Sequence, residues 1–260
     1  MLAAERRDLL VARLRRDGKL VARDLAQELG LSEDSLRRDL RELAAAGLCQ
    51  RVYGGALPLS PALGTIAARH EVAPESKRRV AARAAEFITP GITAILDSGT
   101  TALAVVEALR PDLATTIVTH SPTTAAALVD HPTVDVFIIG GRLFKNSAAA
   151  CGAAAAEAAQ GISAGLYLLG VAGIHPKEGL TTSDPDEAAM KRILSSRAAD
   201  TYVLGSVEKL GAASSYTVVG LNEVAGIITD APSDHPTLQE LREQGVNICL
   251  LYTSPSPRDS

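Results

Sequence analysis

The chain of 260 residues lacks the marks of a membrane protein, a disulfide scaffold and a metalloprotein. No apolar run is long enough to span a bilayer, and the charged, helix-prone N-terminus carries no signal-peptide core. The cysteines, Cys49, Cys151 and Cys249, are odd in number and far apart, which argues against both a disulfide framework and a zinc site. The histidines are scattered, with no pair at metal-ligand spacing, and His131, His175 and His235 each precede proline in expected loops. No glycine loop ending in Gly-Lys-Ser/Thr occurs. These absences point to a reducing cytoplasm and to a protein that needs no metal and no cofactor. An excess of positive charge is missing too, because the formal net charge is −4. Residues 1–56 hold 11 Lys/Arg against 9 Asp/Glu, a balance of +2, and the remainder holds 15 against 21, a balance of −6. Any affinity for nucleic acid must therefore come from where the cations sit, not from bulk charge.

What is present begins with residues 31–56, LSEDSLRRDLRELAAAGLCQRVYGGA. Leu36, Leu40 and Leu43 recur at helical spacing and define one apolar face. Arg37, Arg38 and Arg41 lie off that face. Ser32 fits an N-cap, since its hydroxyl can accept an orphan backbone N–H, and Gly47 can end the helix in a left-handed conformation. Gln50 to Tyr53 then lead into Gly54–Gly55, a pair suited to a tight turn. Two further helices precede this one. Residues 3–16 carry Leu10 and Leu14 one turn apart and stop at Gly18, and Val21, Leu25 and Leu29 mark a short helix closed by Gly30. A turn so short forces the next helix to cross steeply, as in a helix-turn-helix. Three helices and a basic hairpin in this order predict a winged helix-turn-helix. Its third helix would enter the major groove, and its wing would touch the flanking backbone. The predicted DNA-contacting residues are Ser32, Ser35, Arg37, Arg38, Arg41, Arg51, Tyr53 and Gly54.

Residues 58–76 read as a linker broken by Pro58, Pro61, Gly64 and Pro74. Residues 77–252 form the second expected domain, opened by an amphipathic helix that begins around Ser76 and ends before Pro90. Strands are predicted at 92–97, 115–120, 134–141, 165–174, 201–207, 223–230 and 246–252, with helices at 100–110, 122–131, 152–160, 184–199 and 236–245 between them. This alternation implies crossover connections and a mainly parallel sheet covered on both faces. The polar, proline-broken end, 253–260, is expected to be disordered or a scar of cloning or sequence assembly.

Parallel α/β sheets bind ligands at the carboxyl ends of their strands. Asp97-Ser98-Gly99-Thr100-Thr101 falls at such an end, with Thr100 placed to cap the next helix. The helix start offers free N–H groups and hydroxyl donors for a phosphate. Asp97 would repel that phosphate and fits better as an acceptor for a sugar hydroxyl. An ordinary strand–turn–helix with threonine caps explains the same residues. Thr119-His120-Ser121 and Gly140-Gly141-Arg142 end the next two strands, where small residues admit a ligand and Arg142 could pair with an anion. Glu187 and Lys191 are four apart on a helix, as in a plain surface ion pair. Lys209 stands before Gly211 in a loop.

Taken together, these motifs resemble the DeoR-type bacterial transcriptional regulators, over residues 3 to about 250. The resemblance is carried by the helix-and-wing stretch, by Arg69 and Lys77, and by DSGTT (97–101) and GG (140–141). GLTTSDPDEAAMKR (179–192) and EKLG (208–211) complete it. It implies a winged helix that binds double-stranded operator DNA. It also implies an α/β sensor related to ribose-5-phosphate isomerase and CoA transferases, which binds a phosphorylated sugar. Repression of carbohydrate-metabolism genes by a homodimer or homotetramer, with no membrane partner, follows as the default. The implied effector-binding residues are Asp97 to Thr101, Thr119, His120, Ser121, Gly140, Gly141, Arg142, Glu187, Lys191 and Lys209. Three positions depart from the family pattern. Tyr53 stands for a wing His, His120 for the Asn of Thr-Asn-Ser, and Ser206 for an Asp, with Glu208 beside the lysine. Two rival readings follow. One is a sugar-phosphate isomerase with an added DNA module, using Asp97, Glu187 and Lys209. The other is a DNA-binding protein whose second domain only oligomerises.

Overall fold

The computed structural model describes residues 2–60 and 64–251. The expected tail, 253–260, lies outside the described residues. The N-terminal unit contains α1 (Ala3–Asp17), β1 (Leu20–Val21), α2 (Ala22–Leu29), α3 (Glu33–Ala45), β2 (Gln50–Val52) and β3 (Gly55–Leu57). Leu10, Leu14, Leu25, Leu36, Leu40 and Leu43 converge with Cys49 and Ala56 in one small core. Burying a leucine contributes roughly 1.5–3 kcal/mol, so this cluster supplies most of the unit's cohesion. Ser32 caps α3, its hydroxyl accepting from the Ser35 amide at 3.2 Å. At the other end Gly47 is left-handed, and the Leu48 amide returns to the Leu43 carbonyl at 2.9 Å.

The wing differs from its expected form in two respects. It has a third strand, because β3 pairs with β1 as well as with β2. Its turn is Tyr53–Gly54, since Val52 is already paired with Gly55. Gly55 is glycine for another reason: a Cβ there would lie 1.8 Å from the Leu20 carbonyl oxygen. The β1 contact, invisible in the local pattern, imposes that residue.

The expected linker is not wholly irregular. It holds a short helix, α4 (Ile66–His70), and α5 (Pro74–Ala85) begins earlier than the pattern suggested. Pro74, read as a breaker, occupies the first turn of α5, where its missing N–H costs nothing.

The larger unit is built on a seven-stranded sheet. Its strands are β4 (Thr93–Leu96), β5 (Thr115–Thr119), β6 (Val134–Ile138), β9 (Ala164–Gly170), β12 (Ala198–Leu204), β14 (Gly226–Thr229) and β15 (Ile248–Leu250), in the order β15-β14-β12-β9-β4-β5-β6. Every pairing in it is parallel. Apolar clusters cover both faces. The helices include α6 (Thr100–Glu107), α7 (Pro122–Leu128), α8 (Ala153–Gln160), α9 (Pro185–Ser196) and α10 (Pro236–Glu243).

Three segments depart from the sequence reading. A hairpin, β7 (Arg142–Phe144) with β8 (Ala149–Cys151), was not foreseen. The expected strand 165–174 is two strands. After Gly170 the chain leaves the main sheet, the Ala172 amide donates to the Thr181 carbonyl at 2.8 Å, and β10 (Gly173–His175) joins β11 (Gly179–Thr182) and β13 (Tyr216–Thr217) in a small antiparallel sheet. The expected strand 223–230 begins only at Gly226, after a 3₁₀ turn at Leu221–Glu223. Apolar alternation alone does not separate one long strand from two short ones.

From β4 the chain runs outward through β5 and β6 to one edge, whereas β9, β12, β14 and β15 lie on the other side. The order therefore reverses between β4 and β9. A crevice opens at the carboxyl ends of these two strands, the position where such sheets hold ligands.

Candidate functional site

The crevice is floored by a buried ionic cluster. Asp97, at the end of β4, is fully enclosed. Its Oδ1 accepts from His120 Nε2 and from the Ser98 amide, both at 2.8 Å. Its Oδ2 accepts from Lys191 Nζ at 2.6 Å and from the Gly170 amide at 2.7 Å. Burial alone would raise the carboxyl pKa. The Lys191 charge and the His120 hydrogen bond outweigh it and hold the group well below the usual carboxylate range. Burial pulls Lys191 down, but Asp97 and Glu187 more than compensate and keep it above its ordinary value. Glu187 lies 3.7 Å from Lys191 and accepts a hydrogen bond from the Thr182 hydroxyl. The Glu187–Lys191 pair is thus buried, not the surface pair that its spacing suggested. Asp97 is also not a free acceptor for a sugar hydroxyl, because both of its oxygens are already engaged.

Above this floor lies the start of α6. Gly99 is its N-cap, with φ 94° and ψ 179°, a conformation open essentially to glycine. Thr100 is therefore the first helical residue and not the cap. The amides of the first turn have no intrahelical acceptor, and this positive end of the helix dipole lines the crevice. The Ser98 hydroxyl is buried with no hydrogen-bond partner among the described residues.

Three cations close over this helix end. The Arg69 guanidinium sits across Gly99, within 3.7 Å of where a Cβ would be, and donates to the Asn146 carbonyl at 2.8 Å. Lys209 Nζ donates to the Leu204 carbonyl at 2.9 Å and to Thr101 Oγ1 at 3.3 Å. Lys77 Nζ donates to the carbonyls of Arg69 and Val72. Lys77 and Lys209 are buried and Arg69 is half-buried. Among the described residues, no carboxylate lies within 4.0 Å of any of these three cations. Burial pushes all three pKa values down, Lys209 to about 8. Glu208 offsets part of this for Lys77 and Lys209, but cations held out of water without a directly paired carboxylate are costly, and an anion entering the crevice would relieve that cost.

Of the residues singled out in the sequence, Ser98, Gly99, Thr100, Thr101, Glu187, Lys191 and Lys209 line the crevice together. Others fall elsewhere. His120 is sealed beneath Asp97, its second ring nitrogen 3.0 Å from the Ala150 carbonyl. Thr119 and Ser121 serve the α7 start, where the Ser121 hydroxyl accepts from the Thr124 amide. Gly141 packs against β8 and α8, and exposed Arg142 pairs with Asp186. Neither Gly140 nor Arg142 reaches the crevice wall. The wall also contains Asn146, Ser147, Thr182, Ser183 and Glu208, which had not been singled out as effector-binding. Arg69 and Lys77 line it as well, although the family resemblance named them without a place in the pocket.

The second surface lies on the N-terminal unit. Arg37, Arg38 and Arg41 are exposed on the side of α3 opposite its leucines. Arg37 is held by Glu33 at 2.7 Å, and Arg41 Nε donates to the Arg37 carbonyl at 3.3 Å. Arg38 has no hydrogen-bond or ion-pair partner among the described residues. Arg51, Tyr53 and Gly54 are exposed on the wing. The angle of α3 is fixed from behind by Asp39, which is buried and takes Arg6 of α1 in two hydrogen bonds of 2.5 and 3.0 Å.

Comparison with known proteins bears on both surfaces. Residues 6–61 match a DeoR-like helix-turn-helix domain, and residues 72–231 match the DeoR C-terminal sensor domain. The chain belongs to the DeoR family. Among DeoR-family relatives, it is 33% identical to the HTH-type transcriptional regulator GlpR of Haloferax volcanii, over 95% of this chain and 98% of that one. It is 27% identical to the HTH-type transcriptional repressor GlcR of Bacillus subtilis, over 96% of this chain and 97% of that one. It is also 27% identical to the glycerol-3-phosphate regulon repressor of Escherichia coli K12, over 96% of this chain and all of that one. Among solved structures it is similar to ribose-5-phosphate isomerase A of Methanocaldococcus jannaschii, at 12% identity and a TM-score of 0.37. That match covers 50% of this chain and 51% of the isomerase, so the chain spans about half the isomerase's length. Among the described residues, no helix of this DeoR-family regulator is long and apolar enough to cross a membrane.

Proposed function

We propose that this DeoR-family regulator represses genes of carbohydrate metabolism and is released from its operator by a phosphorylated sugar. The observation that carries the effector reading is the trio Arg69, Lys77 and Lys209. Among the described residues, these cations surround a helix N-terminus without a carboxylate in direct ion-pair contact. A phosphate placed there would accept from the first-turn amides of α6, from Ser98 and from two or three cationic groups. Glycerol phosphate, hexose phosphates and related intermediates share this chemistry, and the relatives include a glycerol-3-phosphate regulon repressor.

On the DNA side, two copies would place their α3 helices about one helical turn apart, roughly 34 Å, on a repeated site. Arg38 would read a base edge, and Arg51 with the wing amides would hold phosphates. The route between the surfaces is short. Leu59, two residues past β3, forms a parallel bridge with Ala213, and the Ser60 hydroxyl donates to the Ala172 carbonyl. Ala172 lines the crevice, and Ala213 follows Lys209 by four residues. A ligand that pulls on Lys209 or on the Val171–Ala172 wall therefore acts on the strand leaving the wing.

The test is fluorescence anisotropy on the DNA upstream of the protein's own gene, at fixed salt, with and without a panel of sugar phosphates. Specific binding that one compound weakens is the expected result. By linkage, saturating operator must weaken that compound's binding by the same factor. Effector affinity unchanged by operator would refute the switch.

A further inference from the structure

We propose that Glu208 distinguishes a phosphorylated polyhydroxy compound from a bare phosphate ester, by accepting a hydrogen bond from a hydroxyl of the bound effector. This rests on the reading of the crevice as a phosphate site. Glu208 lies in the 3₁₀ turn Val207–Lys209 that follows β12. One of its carboxylate oxygens accepts from Ser206 Oγ at 2.7 Å. The other, Oε2, is buried and has no hydrogen-bond partner among the described residues. The neighbouring ammonium groups do not satisfy it: Lys209 gives its hydrogen bonds to Leu204 and Thr101, and Lys77 gives its own to Arg69 and Val72. A buried carboxylate oxygen without a donor is expensive, and the side chain lines the crevice. The missing donor is therefore one that a ligand can bring.

The chemistry of that donor is narrow. A phosphate dianion carries acceptors and negative charge, so Glu208 repels it. A carbon-bound hydroxyl beside the phosphate carries the donor that Oε2 lacks. Arg69, Lys209 and α6 thus hold the anion, while Glu208 tests whether a polyol is attached to it.

The residue's second exposure gives this test a consequence. Glu208 also lines the cleft between the sensor and the N-terminal unit, opposite the Tyr53–Ala56 wing segment and the Arg16–Val21 turn. Its turn continues into Leu210, which bridges Ile174, and then to Ala213, which bridges Leu59. Engagement of Glu208 is felt in the wall that the wing faces.

The experiment is calorimetric titration of the full-length protein and of Glu208→Gln at pH 7.5. The ligands are methyl phosphate, glycerol 3-phosphate, glucose 6-phosphate and fructose 1-phosphate. At this pH methyl phosphate is mostly the dianion and brings no donor. With wild type, at least one polyol phosphate should bind about tenfold or more tighter than methyl phosphate. In Glu208→Gln that preference should fall to within about threefold, with methyl phosphate binding as before or tighter. Unchanged methyl phosphate binding also reports that the variant is folded. The proposal is overturned if Glu208→Gln keeps the full preference, or if it loses both ligands by the same factor. If wild type binds none of the compounds, methyl phosphate included, the phosphate-site reading fails and the role of Glu208 falls with it.

Discussion

Replacing Lys209 with methionine should make the ligand-free protein more stable while impairing its ligand binding. The ammonium is buried and pushed down from 10.5 to about 8, chiefly by burial. Keeping it charged at pH 7 therefore costs the folded state roughly 3 kcal/mol. Methionine has a similar length and removes that cost. Against this stand the lost hydrogen bonds to the Leu204 carbonyl and to Thr101, about 1 kcal/mol each. The net expectation at pH 7 is a gain of about 1 kcal/mol. The pH dependence is the sharper test. The folded pKa lies below the unfolded one, so the unfolded chain holds the extra proton between pH 8 and 10.5. Native wild type therefore gains stability as pH rises through that window. By pH 9.5 the wild-type cost falls by roughly 2 kcal/mol, so Lys209→Met should pass from more stable than wild type to less stable. Urea denaturation at the two pH values measures the difference. Methyl phosphate titration should show Lys209→Met binding about 10–100-fold weaker at pH 7. Wild-type affinity should also decline above pH 8, while that of the variant does not. A variant that is destabilised equally at both pH values, with unchanged methyl phosphate affinity, would refute the account of Lys209 as a buried cation awaiting an anion.

Three further expectations concern other parts of the molecule. Arg6→Ala leaves the Asp39 carboxylate buried without its partner and should destabilise the N-terminal unit by about 3 kcal/mol; thermal melts that leave this unit unchanged would contradict the clasp. Gly99→Ala has room for its methyl group but not for its backbone conformation, so it should cost about 1–3 kcal/mol and weaken methyl phosphate binding, read by calorimetry alongside a melt. Arg38→Ala should lower operator affinity without moving the melting temperature. If Arg38 reads a base, binding to a panel of operator variants should lose discrimination at one position while the salt slope stays nearly constant, whereas a phosphate contact would lower the slope by about one.

The chain's local pattern was enough for the elements that local physics builds. Leucines three and four apart, a serine cap at Ser32 and glycines after the helices define the helix-turn-helix, because each signal acts within a turn or two of itself. The alternation of apolar strands with amphipathic helices likewise made a parallel sheet legible, and DSGTT marked a strand end that lines the crevice. The pattern failed where a residue's role is set by a distant neighbour. Gly55 is glycine because β1 passes beside it, and the β7–β8 hairpin is written in short segments with no clear period.

The charges show the division most plainly. From sequence, Glu187 and Lys191 fit a surface pair as well as a pocket, Asp97 is an open acceptor, and Arg69 and Lys77 have no place in the pocket. Tertiary structure buries the pair, closes Asp97 with four hydrogen bonds, and brings Arg69 and Lys77 over a helix end beside a lysine more than a hundred residues away. Whether a charged side chain is solvated, paired or left waiting depends on the dielectric and the partners around it. Spacing along the chain decides which residues share a helix face. Only the folded packing of separate segments decides which of those faces lose their water, and hence where an anion is wanted.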